Sequence, residues 1–486
     1  KDRRTMALAL AAALVPAFAS QPQDERARAL AACSGTAFIN GSNPLYRGLM
    51  SGPVVVSDLW ADEPAILSAS YGFDGIINID VPTINNSIAA MRDVLNAGGA
   101  WVANAPASSV EEAVLLECAD GSEPPASALT SAVGPIPGLA VLWGAMPPPA
   151  SDGAPMCFSY PVLPSSVDPS FIKVTFNTGE TESPPDISIA PNDEFNERSC
   201  LVFFMDMGNR VVPDGTNDCS SKAGRPTDCA YYPVQMEITG DLMLVGPGNK
   251  LVSAKGLSFR GPNPYVRGPG LIGAKLNRLQ DTLAGEGAPI GFCCPGGNDG
   301  RALYGDTAEF RLRIFYSGGY SVNGVSATKP NEFDRFFKLL AYGEDGGDIE
   351  IVQVGVEYRV REGTFRVLGM ADLGQPQSSY DACYVEDYDN YIDFILAGDE
   401  AAVASIHTVL QPNEDQCVAE HTECSGYRPM YNPGGPGNVK NLAAQALGGY
   451  ATPGGYVAPS PASDRIAVFN DLEGKRLVSF DCASLI

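Results

Sequence analysis

Histidine and lysine are scarce in this 486-residue chain. Only two histidines occur, His407 and His421, so their number excludes a histidine-rich metal site. The chain has 10 lysines against 22 arginines, and its formal net charge is −25. A protein that binds nucleic acid or an anionic membrane surface needs a basic patch to neutralise phosphate groups. The composition therefore predicts neither of these partners.

Several motifs of common enzyme classes are also missing. The chain has no Gly-x-Ser-x-Gly nucleophile elbow, no His-Glu-x-x-His zinc motif and no Walker phosphate loop. A Ser-His-Asp enzyme would have to use one of the two histidines. His407 lies in the apolar segment SIHTVL, which favours a structural role. We therefore predict no catalytic residue of these classes and no organic cofactor.

The N-terminal residues have the pattern of a secretion signal. Basic residues precede an apolar stretch from Met6 to Phe18, and Ala17-Phe18-Ala19 is a small-x-small cleavage pattern, so residues 1–19 are predicted to be a signal peptide. The apolar stretch is shorter than the ~20 residues that a membrane-spanning helix needs. We expect a periplasmic, extracellular or organelle-lumen location without a membrane span.

The 12 cysteines fit an exported protein with disulfide bonds. None forms a Cys-x-x-Cys pair or lies at zinc-finger spacing from a histidine, which argues against a zinc site. Cys219 with Cys229, and Cys417 with Cys424, are close enough in sequence to close small loops. Composition and spacing leave the remaining pairings open.

Residues 20–150 alternate between strand and helix patterns. Residues 83–96 place apolar side chains on one helical face, and three short apolar runs are typical of strands: 75–81, 99–105 and 138–144. This order predicts a small α/β module. A proline-rich linker at 145–155 separates it from the rest, so we place a domain boundary at residue 150.

Residues 151–486 carry short strand patterns separated by Gly, Asn, Asp and Pro turns. Residues 308–319 alternate, with Phe310, Leu312, Ile314 and Tyr316 on one face and Arg311 and Arg313 on the other. Hairpins are predicted over three segments: 335–355, 356–369 and 465–482. The chain is therefore predicted to be mainly β, an antiparallel, disulfide-bonded sandwich of one or two units with a small N-terminal α/β module. Residues 425–462, rich in Gly, Pro and Tyr, are predicted to be irregular.

The most acidic stretch, Tyr380 to Glu400, contains the candidate metal ligands. It contains no Lys or Arg, and Asp387, Asp389 and Asp393 would share one face if the segment is extended. Oxygen ligands in this number suit Ca²⁺. The predicted ligand set consists of six carboxylates: Glu386, Asp387, Asp389, Asp393, Asp299 and Asp306. The alternative is a solvated acidic turn that precedes a buried strand.

Two functions follow from these patterns. The first is an exported, acidic, β-rich binding or structural protein, stabilised by Ca²⁺, that acts on an extracellular ligand or surface. The second is a secreted, glycosidase-like hydrolase, because paired carboxylates cleave glycosidic bonds when they flank the substrate. The absence of a catalytic motif favours the first.

Overall fold

The computed structural model describes a set of separate segments of the chain. These are residues 23–34, 52–69, 76–77, 132–133, 152–189, 194–205, 207, 214–223, 229–260, 270–279, 300–317, 330–373, 375–377, 380–385, 391–411 and 464–485. The predicted signal peptide, the helix at 83–96, the strands at 99–105 and 138–144 and the irregular stretch at 425–462 lie outside these segments.

Strands dominate the described residues, and each of them is between two and nine residues long. In chain order they are Val54–Asp58 (β1), Ile66–Ala69 (β2), Ile76–Ile77 (β3), Ala132–Val133 (β4), Asp152–Phe158 (β5), Ile172–Phe176 (β6), Thr181–Glu182 (β7), Asp186–Ser188 (β8), Cys200–Met205 (β9), Pro233–Ile238 (β10), Met243–Gly246 (β11), Lys250–Ser253 (β12), Ser258–Phe259 (β13), Leu271–Arg278 (β14), Phe310–Tyr316 (β15), Lys338–Tyr342 (β16), Asp348–Ile351 (β17), Tyr358–Val360 (β18), Gly363–Ala371 (β19), Gln375–Gln377 (β20), Tyr380–Val385 (β21), Tyr391–Gly398 (β22), Ile406–Gln411 (β23), Asp464–Ala467 (β24), Phe469–Asn470 (β25) and Leu477–Phe480 (β26).

The helices in the described segments are short. The α-helices are Gln23–Cys33, Gly300–Tyr304, Phe333–Phe336 and Glu400–Val403. Single 3₁₀ turns occur at Pro164–Ser166, Pro169–Phe171, Pro247–Asn249, Gly305–Thr307 and Cys482–Leu485. No helix among the described residues has the length and apolar character needed to cross a membrane.

The strands form several sheets, and nearly all the pairs are antiparallel. The largest sheet has six strands in the order β18-β19-β22-β15-β14-β25. Three sheets have four strands, β13-β10-β6-β7, β17-β16-β23-β24 and β2-β5-β9-β8, and the pairs β1-β26, β11-β12, β20-β21 and β3-β4 stand apart. The prediction of a mainly β, antiparallel and disulfide-bonded fold is confirmed.

The hairpins predicted at 335–355 and 356–369 are confirmed, but the hairpin at 465–482 is wrong. Strands β16 and β17 pair through Leu339 and Ile351, and β18 pairs with β19. In the C-terminal segment, β24 pairs with β23, β25 with β14, and β26 with β1. The C-terminal strands thus add to three different sheets instead of pairing with one another.

The six-stranded sheet has two chemically different faces. On one face, Leu312, Ile314 and Phe394 belong to an apolar core that also contains Leu339 of β16 and Val409 of β23. The second core lies in the other β-rich part and is built from residues of β5, β6, β9, β10 and β11. The opposite face of the six-stranded sheet carries buried charged side chains, among them Lys275, Arg311 and Arg313.

Segments before residue 150 are joined to strands beyond it. Strand β1 pairs with β26, and β2 pairs with β5. Disulfide bonds join Cys33 to Cys482, Cys157 to Cys200, and Cys219 to Cys229. The short-loop pairing of Cys219 with Cys229 is confirmed, whereas Cys417 and Cys424 lie outside the described residues. The domain boundary at residue 150 stays a prediction.

Candidate functional site

The structure describes two of the six predicted metal ligands. Asp393 lies in β22 and is 4% exposed, and Asp306 lies in the exposed turn Gly305–Thr307. The remaining four lie outside the described residues: Glu386, Asp387, Asp389 and Asp299. The convergence of these carboxylates on Ca²⁺ therefore stays a prediction.

Asp393 forms a bidentate ion pair with Arg313. These residues are directly opposite each other on β22 and β15. Arg313 Nε donates to Asp393 Oδ1 at 2.7 Å, and Nη2 donates to Oδ2 at 2.9 Å. Arg311 Nη1 lies 3.5 Å from Asp393 Oδ2. Two parallel bonds of this kind fix the orientation of both groups and are stronger than neutral hydrogen bonds.

Three further carboxylates surround Arg313. Asp372 Oδ2 lies 2.6 Å from Nη2, Glu197 Oε1 lies 3.4 Å from Nη1, and Asp58 Oδ2 lies 3.8 Å from Nη1. Burial by itself would lower the pKa of the Arg313 guanidinium. Asp393, Asp372 and Glu197 outweigh that effect and raise the pKa well above its ordinary value. Arg313 therefore stays charged and serves as the centre of the cluster.

Lys275 extends the cluster along β14. Its Nζ lies 2.7 Å from Asp58 Oδ1 and 3.1 Å from Asp471 Oδ2, and it donates to the carbonyl of Arg476 at 2.6 Å. These three contacts match the three donors of an ammonium group. Burial would raise the pKa of Asp58, but Lys275, Arg311 and Arg313 together hold it below its ordinary value of 3.8. We call Asp58, Lys275, Arg311, Arg313, Asp372, Asp393, Glu197 and Asp471 the charged cluster.

Aromatic rings and a disulfide bond enclose the charged cluster on one side. The Trp60 ring is tilted against Phe315, with ring centroids 4.9 Å apart, and stacks on Tyr391, with ring centroids 5.6 Å apart. The Arg313 guanidinium lies 5.1 Å from the Tyr391 ring centre, and Cys157–Cys200 packs in the same apolar group. A Cβ at Gly273 would lie 2.5 Å from the Trp60 ring, so glycine is required for this close approach. The charges are thus shielded from water.

The geometry defines what the charged cluster can do chemically. General acid catalysis needs a carboxylic acid whose pKa is raised so that it holds a proton near neutral pH. The pKa of Asp58 is lowered, and Asp393 is paired with two arginines. These ion pairs connect side chains of β1, β14, β15 and β22.

One group of carboxylates in the described residues has metal-ligand spacing. Glu194, Glu197 and Asp372 each place one oxygen within 4.8 Å of the others, and all three are buried. Arg313 already contacts Glu197 and Asp372. A cation at this position would therefore compete with a guanidinium for two of its three ligands.

A surface cleft of about 510 Å³ shares no lining residue with the charged cluster. One wall is the helix Gln23–Cys33, the second is formed by the 3₁₀ turns at 164–171, and the third is the β11–β12 hairpin. Its apolar lining consists of Ala31, Ala32, Val167, Phe171, Met243 and Leu251. This volume falls within the range of pockets that hold small organic ligands.

His407 lies on β23 and contacts its neighbours on the surface. Its ring stacks on Tyr342 at 4.3 Å, Nε2 lies 3.2 Å from Asp348 Oδ1, and Nδ1 lies 2.9 Å from Thr408 Oγ1. These contacts orient the ring, and the structural role inferred from its apolar sequence setting stays a prediction.

Residues 268–273, GPGLIG, fit the Gly-x-Gly-x-x-Gly pattern, but the segment leads into β14 and not into the helix that phosphate binding requires. The charged cluster was not predicted as a site. The sequence feature that could have indicated it is the placement of Arg311 and Arg313 on one face of β15, in a chain that contains few basic residues.

No protein-family model, curated protein or solved structure matches the chain.

Proposed function

We propose that the protein is exported and acts outside the cytoplasm as an acidic, β-rich binding or structural protein, with Ca²⁺ as a stabilising ion. Its partner would be an extracellular ligand or surface. The observation that supports this proposal is the pairing of charges in the charged cluster. Its buried carboxylates form ion pairs with Lys275, Arg311 and Arg313. These acids serve the fold and are not placed for acid–base chemistry.

Export is supported by the three disulfide bonds, which persist in oxidising compartments. Thiol titration of the denatured, unreduced protein should find no more than two free thiols among the 12 cysteines. The matched control is Cys219→Ser, which should expose one additional thiol, that of Cys229. Six or more free thiols in the wild-type protein would overturn both the pairing and the compartment.

The predicted leader can be tested separately from the rest of the chain. Residues 1–25 are fused to an alkaline phosphatase that becomes active only after its own disulfide bonds form. Enzyme activity is expected with the natural leader. It should be lost when Leu8, Leu10 and Leu14 are replaced by Asp, because these changes remove the apolar stretch. Equal activity of the two fusions would contradict export through this segment.

A reducing-end assay separates binding from hydrolysis. The purified protein is incubated with starch, cellulose, xylan and chitin, and boiled protein is the control. We expect no release of reducing ends. Release that disappears when a single carboxylate is replaced by its amide would establish the hydrolase and overturn the proposal.

A further inference from the structure

We propose that the cleft beneath the N-terminal helix binds a small amphiphilic amine, a molecule with an apolar body and a cationic head. This inference rests on the proposed role as a binding protein and names the chemistry of one ligand. A cleft of about 510 Å³ accommodates a molecule of drug size. The chemistry of its floor and of its rim determines which class of molecule fits.

The floor of the cleft is suited to an apolar group. Phe171, Met243 and Leu251 supply large side chains, and Val167 and Met243 are almost fully buried. Contact with such side chains favours a ligand that removes its own apolar surface from water. The apolar part of the ligand therefore belongs at the floor.

The serine hydroxyls at the floor are already engaged. Ser166 Oγ donates to the Leu163 carbonyl at 2.8 Å and accepts from the Met243 N–H at 2.9 Å. Ser165 Oγ lies 3.6 Å from Cys482 Sγ. Because these groups have partners within the fold, an apolar ligand would not leave them unsatisfied.

The charged groups at the rim of the cleft are less buried than Val167 and Met243 at its floor, and negative charge predominates among them. Asp168 and Asp241 line the cleft together with one cation, Arg28. Asp168 Oδ1 accepts from the backbone N–H and hydroxyl of Ser170, and Asp241 Oδ1 accepts from the Ser253 hydroxyl. Within the described segments, Oδ2 of both carboxylates makes no hydrogen bond. Each acid is thus held in place with one oxygen available to a ligand.

Charge complementarity selects a cation as the head group. Arg28 forms no ion pair with either aspartate among the described contacts, so the two carboxylates at the rim are not neutralised. The formal net charge of −25 adds a long-range attraction for cations. A ligand that places its ammonium group near Asp168 and Asp241 and its apolar body over Phe171 and Met243 matches both the charged and the apolar lining of the cleft.

The helix that forms one wall is covalently anchored. Cys33, its last residue, is joined to Cys482, which follows β26. Ala31 and Ala32, which face the cleft, directly precede this bond. The disulfide bond thus fixes the wall of the cleft to the C-terminal end of the fold.

The test compares two fluorescent probes with the same apolar group and opposite charge, dansylcadaverine and dansylglycine. Dansylcadaverine should bind more tightly to the full chain. Asp168→Asn and Asp241→Asn should each weaken its binding by about fivefold, the effect of one charge interaction at a distance of about 4 Å in water. Asparagine retains the N-cap function at position 168, so the fold is preserved.

Three further variants complete the test. Arg28→Gln should not weaken dansylcadaverine binding, whereas Ala32→Trp should abolish binding of both probes because it fills the cleft. Asp345→Asn removes an exposed charge from the β16–β17 turn and should leave binding unchanged. Thermal unfolding of every variant shows whether it is folded.

Tighter binding of dansylglycine, binding of neither probe at 1 mM, or equal effects of Asp345→Asn and Asp241→Asn would each overturn the inference. A chain that is disulfide-bonded and releases no reducing ends, but binds neither probe, would refute the ligand class alone. Hydrolysis of a polysaccharide would instead refute the proposed function.

Discussion

The two faces of the six-stranded sheet are both buried, but by different means. Leu312 and Ile314 are fully buried against apolar side chains, whereas Arg311 and Arg313 are each 1% exposed and lie among carboxylates. Along β15, residues therefore alternate between an apolar core and a buried layer of charged side chains. Neither face of the strand is exposed to solvent. Alternation in sequence reveals which residues share a face, but not what covers that face.

The two faces should also differ in how much stability a single substitution removes. Loss of a methylene from an apolar core costs its transfer free energy and leaves a small cavity. Loss of one partner from a buried ion pair leaves the other charge without compensation in a medium of low dielectric constant. The charged face should therefore be the more sensitive to a single substitution.

Arg313→Met tests this difference with the largest expected effect. Methionine keeps much of the side-chain volume but leaves Asp393 and Asp372 without the bonds at 2.7 and 2.6 Å. We expect the free energy of unfolding, measured with urea, to fall by about 3–5 kcal/mol.

The matched control is Arg278→Met on the neighbouring strand β14. Arg278 is paired with Glu400 at the surface and its side chain is 55% exposed. The free energy of unfolding should therefore fall by no more than about 1 kcal/mol. Similar losses for the two variants would show that burial does not distinguish the two arginines.

Local pattern was sufficient to predict much of the fold. The alternation over 308–319 correctly assigned the two faces of β15, and the hairpins at 335–355 and 356–369 form between strands that are adjacent in sequence. Pairing with the nearest strand is the simplest outcome, and it is correct where a short turn brings the two strands together.

Long-range partners could not be predicted in the same way. Asp58 and Lys275 are 217 residues apart, and Cys33 and Cys482 are separated by 449. The C-terminal strand β26 pairs with β1, which no local pattern indicates. Asp393 was selected for its spacing from Asp387 and Asp389, whereas its described partners are arginines on another strand.

The acidic segment before β22 offers a second comparison with the charged cluster. Arginine and lysine compensate Asp393 and Asp58, and we expect Ca²⁺ to compensate Glu386, Asp387 and Asp389, the other predicted ligands of the stretch 386–393. At a hundred times its dissociation constant, Ca²⁺ should increase the free energy of unfolding by about 2.7 kcal/mol. The measurement is thermal unfolding with and without millimolar Ca²⁺.

Asp389→Asn is the control for the metal, since it keeps the side-chain shape and removes one charge. The midpoint of its thermal unfolding should rise less on addition of Ca²⁺ than the midpoint of the wild-type protein. An unchanged wild-type midpoint, or equal shifts in the two proteins, would favour the solvated acidic turn.

Acid should weaken the charged face selectively. The pKa of Asp58 is lower in the folded chain than its ordinary value of 3.8, because Lys275, Arg311 and Arg313 overcome the effect of burial. Its contribution to stability is therefore complete above 3.8 and is lost as the pH falls through the lower, folded-state pKa. The stability difference between the wild-type protein and Asp58→Asn should therefore narrow as the pH falls below 3.8.

Ile314→Val on the apolar face provides the comparison for the acid experiment. Its cost should be about 1 kcal/mol and should not change with pH, because the side chain does not titrate. Urea unfolding between pH 3 and 7 measures both differences. A difference for Asp58→Asn that stays constant with pH would mean that its charge contributes nothing to the folded state.

A double-mutant cycle between Arg313 and Asp393 tests most directly the central claim, that the charged face stabilises the fold through its internal ion pairs. The free energy of unfolding is measured at pH 7 for the wild-type protein, Arg313→Met, Asp393→Leu and the double variant. We predict that the double variant loses less stability than the sum of the single losses, with a coupling of at least about 1 kcal/mol. Additive losses would contradict the claim, because they would show that the two charges do not stabilise each other.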